Sequence, residues 1–230
     1  MHPHADRTPN FPTLEPGVTL LDRDSQLGVE PLQALVLDHL LTTDGVASWV
    51  DAGGRARTST LRELAPHRRY LNRIDVARGF TPYQHASLVD RLAGRIESSS
   101  VPHTLVVTPA LDALYRDTDI ARREATEQLL HALAILSEIA REHDIPVLVT
   151  RTRTDEFAEP IAAAATARIS CEATRFGPRF SADSAETLVY PITDGWVQTT
   201  LTFWQEILEH RARIDDTAAT PTPMASVPGW

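Results

Sequence analysis

Between residues 103 and 151 the chain carries a pattern that few folds can accommodate. The run Thr104-Leu105-Val106-Val107-Thr108 is bounded by Pro102 and Pro109, and a second run, Pro146-Val147-Leu148-Val149-Thr150, closes the stretch. Short β-branched runs with proline punctuation read as buried strands. Between them Leu129, Leu133, Leu136 and Ala140 recur at helical spacing, and Ala132, Ile135 and Ile139 widen the stripe. Asp119 is placed to cap this helix, and Glu124 puts negative charge in its first turns. A strand, a crossover helix of about six turns and a parallel strand must cross right-handed and be covered on both faces. The expectation is therefore an α/β protein.

The rest of the chain extends this alternation. Residues 18–21 read as a first strand, and Pro31 opens a helix through Leu32, Leu35, Val36, His39 and Leu40. Residues 46–50 read as a second strand, followed by the turn Asp51-Ala52-Gly53-Gly54. Thr58 or Ser59 caps a short helix that Pro66 ends. A third strand is expected over 70–77, and Thr81-Pro82 starts a single helix to about residue 96. Beyond the central unit, Pro160 opens a short alanine-rich helix, and 167–176 reads as a strand followed by a Gly177-Pro178 turn. Strands are expected over 187–191 and 196–201 around an Asp194-Gly195 turn, making this end antiparallel, with a last helix over 203–211. One core domain, 14–212, is expected between a flexible arm, 1–13, and a disordered tail, 213–230.

Composition narrows the setting. All 22 basic residues are arginine, and 31 acidic residues bring the net charge to −9. Such lysine-free acidity resembles proteins of salt-loving cytoplasms, and a GC-rich genome produces it equally well. No apolar run approaches the ~20 residues of a membrane span, and no signal-peptide core is visible. With Cys171 as the only cysteine, a cytoplasmic location is expected. Gly-x-Ser-x-Gly, Cys-x-x-Cys and His-Glu-x-x-His are all absent, so no catalytic residue, metal or cofactor is assigned.

Several segments, in order, resemble the core of RecA-type recombinases, in particular RadA and its short paralogues, and more distantly KaiC. Ile74-Asp75-Val76-Ala77-Arg78-Gly79-Phe80-Thr81 is similar to that family's strand ending in "VARAF", and Leu105-Val106-Val107-Thr108 falls where its Walker B strand lies. Ala121-Arg122-Arg123-Glu124 and the long helix resemble the segment that follows, and residues 145–150 resemble the next strand, which ends in a polar sensor near Arg151. The resemblance covers about 13–211 and implies a three-layer RecA-like fold of the P-loop type, mostly parallel with antiparallel strands at the C-terminal end.

It also implies a nucleotide site, and there the residues depart from the pattern. A phosphate loop needs Gly-x-x-x-x-Gly-Lys-Ser/Thr. Aligned on Gly28, this chain has Arg23 at the first glycine, Val29 at the lysine and Glu30 at the hydroxyl. Thr108 stands at the Walker B aspartate, and the water-polarising glutamate falls at Gly53, with Asp51 the only acid in that turn. The expectation is a non-catalytic paralogue acting by protein–protein contact in recombination, repair or their regulation. Its partner would be a RecA/RadA-type subunit or a second copy, with Phe11 as a subunit anchor. One alternative is a nucleic-acid accessory using Arg55, Arg57, Arg62, Arg68, Arg69, Arg73 and Arg78, seven arginines against only Glu63 and Asp75. Another is an enzyme with a repurposed site at the strand carboxyl ends, built on Asp51, Asp22 or Asp24.

Overall fold

The structure, a computed structural model, describes residues 11–116, 120–174, 177–182, 185–186 and 200–218. An eight-stranded sheet forms its middle layer. In chain order the strands are β1 (Gly17–Arg23), β2 (Val46–Ala52), β3 (Ile74–Gly79), β4 (His103–Thr108), β5 (Pro146–Val149), β6 (Ala167–Thr174), β7 (Gly177–Ala182) and β8 (Ala185–Glu186). Across the sheet they run β3-β2-β4-β5-β1-β6-β7-β8. Every pair from β3 to β6 is parallel, and β6–β7 and β7–β8 are antiparallel. The α/β class and the mostly parallel sheet are thus as the sequence pattern implies, whereas its antiparallel end is formed by β7 and β8, upstream of the pair expected over 187–191 and 196–201.

Parallel strands buried on both faces require two helical layers. On one face lie α1 (Glu30–Thr42), α2 (Thr58–Leu64), the single turn α3 (Arg68–Leu71) and α8 (Thr200–Ala218), over Leu21, Trp49, Leu105, Val107 and Leu148. On the other lie α4 (Pro82–Asp90), α5 (Leu92–Ser98), α6 (Arg122–His143) and α7 (Glu159–Ala164), over Leu20, Val50, Val106, Val147 and Val149. Successive strand residues alternate between the two cores, as the pleat demands.

Helix α1 shows most about the packing. Its sequence suggests one apolar stripe, yet every residue from Pro31 to Leu41 is buried. The sheet covers its inner side, and α2 and α8 cover its outer side, so even Gln33 and Asp38 are enclosed. Each finds a polar partner there: Gln33 Nε2 donates to the Arg55 carbonyl at 2.9 Å, and Arg211 Nη2 donates to Asp38 at 3.3 Å.

Several boundaries differ from expectation. Tyr70 and Leu71 are helical, and β3 starts only at Ile74, because buried Tyr70 anchors α3 beneath Arg69 and Arg73. The helix expected from Pro82 to residue 96 is two helices meeting at Arg91. Long α6 begins after Ala121 without a side-chain cap, and Asp119 lies outside the described residues. Gly177-Pro178 opens β7 instead of forming a turn, since Gly177 already pairs with Thr174. Helix α8 starts at Thr200, where a strand was expected, and runs into the expected tail as far as Ala218. The strand over 187–191 and the Asp194-Gly195 turn lie outside the described residues. Phe11 and Pro12, assigned to a flexible arm, are buried.

Candidate functional site at the strand carboxyl ends

In open α/β sheets ligands bind beyond the strand carboxyl ends, where successive connections diverge. Here β1 connects through α1 to β2 on one side, and β5 connects through α7 to β6 on the other. The crevice between β1 and β5 is therefore the place to look. It is plugged: Arg151, just past β5, donates from Nε and Nη2 to both oxygens of Asp22 on β1, at 2.9 and 2.8 Å. Both side chains are largely buried, so the bidentate pair acts as a clasp.

The loop from β1 to α1 is closed on itself. Arg23 Nη1 donates to the Leu27 carbonyl, Leu27 N donates to the Asp24 carbonyl, and Gln26 N donates to Asp24 Oδ1. The Glu30 carboxylate folds back over Gly28, where an added Cβ would lie 2.1 Å from Oε2. A helix N-terminus attracts anions, and Glu30 supplies one from within the first turn of α1. The Arg23 guanidinium is held below its ordinary basicity, first by burial and then by neighbouring Arg55.

The other expected positions lie along the same edge. Asp51 is fully buried; its Oδ1 accepts from Arg55 N at 2.8 Å and Ala56 N at 3.2 Å, and its Oδ2 accepts from Arg78 Nε at 2.8 Å. It closes the turn in which Gly53 and Gly54 take φ of +80° and +72°, a conformation natural to glycine. Thr108 is buried, and its Oγ1 has no hydrogen-bond partner among the described residues. Asp22, Asp51 and Asp24 are each committed to internal bonds, and none lines either of two cavities of about 290 and 340 Å³.

The seven arginines of the 55–78 segment are not one surface. Arg73 caps the carboxyl end of α1 by donating to the Leu40, Thr43 and Gly45 carbonyls. Arg78 serves Asp51, and the buried Arg55 Nε has no hydrogen-bond partner among the described residues. Arg57, Arg62, Arg68 and Arg69 remain exposed around α2 and α3, with exposed Glu63 among them. Phe11, expected to anchor on a neighbour, stacks on Trp204 of its own chain at 5.4 Å and leans on Phe180 at 5.7 Å.

The sequence pattern did not reveal one network at this edge. Buried Asp112 accepts from Thr152 N and Oγ1 at 2.7 and 2.6 Å and from Arg116 Nε at 2.6 Å, while Arg116 also grips Asp155 through both Nη atoms. That pairing holds the Asp155 carboxyl down at about 2. The Asp112–Arg116 spacing of four residues was the available signal. Nearby, His85 Nδ1 meets Tyr115 Oη at 2.9 Å; burial pushes His85 down to about 4, so the ring is neutral.

No protein-family model and no curated protein sequence matches this chain. Among the described residues no three His, Cys, Asp or Glu side chains are grouped to hold a metal, and no helix is long and apolar enough to cross a membrane. Chemically, the edge offers acids already bonded, a loop without lysine, and a helix start already carrying a carboxylate.

Proposed function

We propose that this protein is a RecA/RadA-like subunit without nucleotide chemistry, acting by protein–protein contact in DNA recombination or repair, or in their regulation. The observation that carries the reading is Glu30. Its carboxylate occupies the helix start where phosphate would sit, over the one glycine left in the loop. The mostly parallel sheet with an antiparallel C-terminal end is the layout the resemblance implies, and it persists while the loop lysine and the Walker B acid are replaced.

A contact surface is available at the other end of the sheet. Strand β3 is its edge and presents Val76, 46 % exposed, followed by Phe80, 72 % exposed, and Tyr83, 56 % exposed. An edge strand with free backbone groups and bare apolar side chains is a site for pairing with another chain. The test is light scattering of the protein alone and mixed with a RecA-type recombinase from the same cells. A mixed complex that Phe80→Asp abolishes, with the circular dichroism unchanged, supports the reading. Monomers in every sample defeat it.

A further inference from the structure

A cavity of about 340 Å³ lies between the β2–β3 edge of the sheet and the helices α4 and α5. The register pairs Ser48 with Asp75 and Val50 with Ala77, so these four side chains share the sheet face that forms its floor. Leu88 and Leu92 line the helical side, and Arg91, Arg95 and Ser98 also line it. The lining is thus an apolar patch with a few polar groups, the usual constitution of a small-molecule site, and its volume is at the lower end of the usual range.

The polar groups define what such a site would take. Arg95 Nη2 donates to Asp75 Oδ2 at 3.0 Å, so those two charges cancel. The exposed guanidinium of Arg91 has no ion-pair partner among the described residues and stands as the uncompensated charge of the lining. Buried Ser48 meets His103 Nδ1 at 2.8 Å, which uses one of the three hydrogen-bonding functions of its hydroxyl. Burial pushes His103 below its ordinary basicity, so the imidazole adds no charge there.

We propose that this cavity binds a small organic carboxylate with a short apolar body, the body on Val50, Ala77, Leu88 and Leu92 and the carboxylate on Arg91. A guanidinium and a carboxylate form charge-assisted hydrogen bonds, and the apolar part of the lining, Val50, Ala77, Leu88 and Leu92, favours a ligand with an apolar body over a bare inorganic anion. This inference does not rest on the recombinase-like reading, and its variants leave Val76, Phe80 and Tyr83 unchanged.

The experiment titrates the full chain with hexanoate, 1-hexanol and hexylamine, following backbone amide shifts by NMR. Hexanoate is expected to saturate one site, with shifts centred on Ser48, Ala77 and Leu92, and to bind more tightly than the alcohol or the amine. Arg91→Ala should weaken hexanoate at least fivefold, about 1 kcal/mol, and change hexanol less than twofold; Arg91→Lys should restore part of the loss. Leu92→Trp, or Ala77→Leu if the first does not fold, should abolish both by filling the space. Equal affinity for hexylamine, an Arg91→Ala protein that binds hexanoate as well as the wild type, or a filled cavity that still binds would each overturn the proposal.

Discussion

Asp51 and Arg78 tie the carboxyl ends of β2 and β3 together, with Nε 2.8 Å from Oδ2 across adjacent parallel strands. The carboxylate is fully buried, whereas the Arg78 side chain is 41 % exposed. Solvent therefore screens the ion pair, and much of the value of Asp51 lies in the two backbone N–H groups it satisfies at Arg55 and Ala56.

That division predicts unequal variants. Asp51→Ala leaves two backbone donors and the Arg78 Nε without an acceptor, although Arg78 Nη2 keeps the Ala56 carbonyl, and should cost about 3 kcal/mol. Asp51→Asn keeps an acceptor for the backbone groups and should recover about half of that loss. Urea denaturation reads the difference directly. Equal midpoints for the two variants would show that the charge, and not the turn, matters.

Nucleotide binding makes a second prediction. On the proposed reading Val29 stands at the lysine position, Thr108 at the metal-holding acid and the Glu30 carboxylate over the loop, so calorimetry with ATP and Mg²⁺ should show no saturable heat and no turnover. Glu30→Ser removes the repulsion without supplying a cation, so it should not create binding. Micromolar affinity in the wild-type protein would refute the account of the loop.

The sequence disclosed the sheet better than the site, for a physical reason. Alternation and helical periodicity report burial, which is why β4, α6 and β5 stood out while the break at Arg91 and the α3 turn did not. The departures of Val29, Glu30 and Thr108 from the phosphate-loop pattern were legible too, because residue type alone shows them. Partnerships across the fold were not. Nothing local marks Arg151 as the partner of Asp22, or Arg73 as the cap of α1, since those contacts exist only once distant segments are packed together. Phe11 reads as a free anchor in isolation, and its contacts with Phe180 and Trp204 come from the far end of the chain.

Asp38 supplies a pH prediction. It is buried beneath α8 with Arg211 alongside, Nε 2.9 Å from Oδ1, and desolvation raises its pKa to about 6 despite that cation. A raised carboxyl pKa means the folded state binds the proton more tightly than the unfolded chain does. This group's contribution to stability is thus greatest at low pH, declines as pH rises from about 4 to about 6 and is flat above that. The decline is on the order of 2–3 kcal/mol. Asp38→Asn removes the titration, so wild type minus variant, from melts between pH 4 and 7.5, should fall with rising pH. A difference that rises with pH would show that the Arg211 pair outweighs desolvation.

Net charge makes the fourth prediction. At −9 with no lysine, self-repulsion opposes the compact state, and salt screens it over a Debye length of about 10 Å at 0.1 M. Melting temperature should climb steeply across a salt series into the molar range. A flat profile would remove the salt-adaptation reading of the composition.

The fifth concerns Phe11. Its ring is 5 % exposed, stacked on Trp204 at an interplanar angle of 24° and tilted against Phe180, and Phe180 packs on Trp204 in turn. This aromatic cluster joins the start of the described chain to β7 and α8, elements otherwise near the far end of the sequence. Truncating a fully packed phenylalanine removes its transfer energy and leaves a cavity, for about 3–5 kcal/mol. In a protein of this size each kcal/mol corresponds to about 2–4 °C, so Phe11→Ala should lower the melting temperature by about 6–20 °C, and Phe11→Leu by much less. A residue that anchors only on a neighbour would behave differently: Phe11→Ala would then leave the melt of the isolated chain unchanged and weaken assembly alone. Melting curves of the two variants, measured beside light scattering at the same concentrations, separate these outcomes. Unchanged melting with lost assembly would place the ring on a neighbouring subunit instead of in its own core.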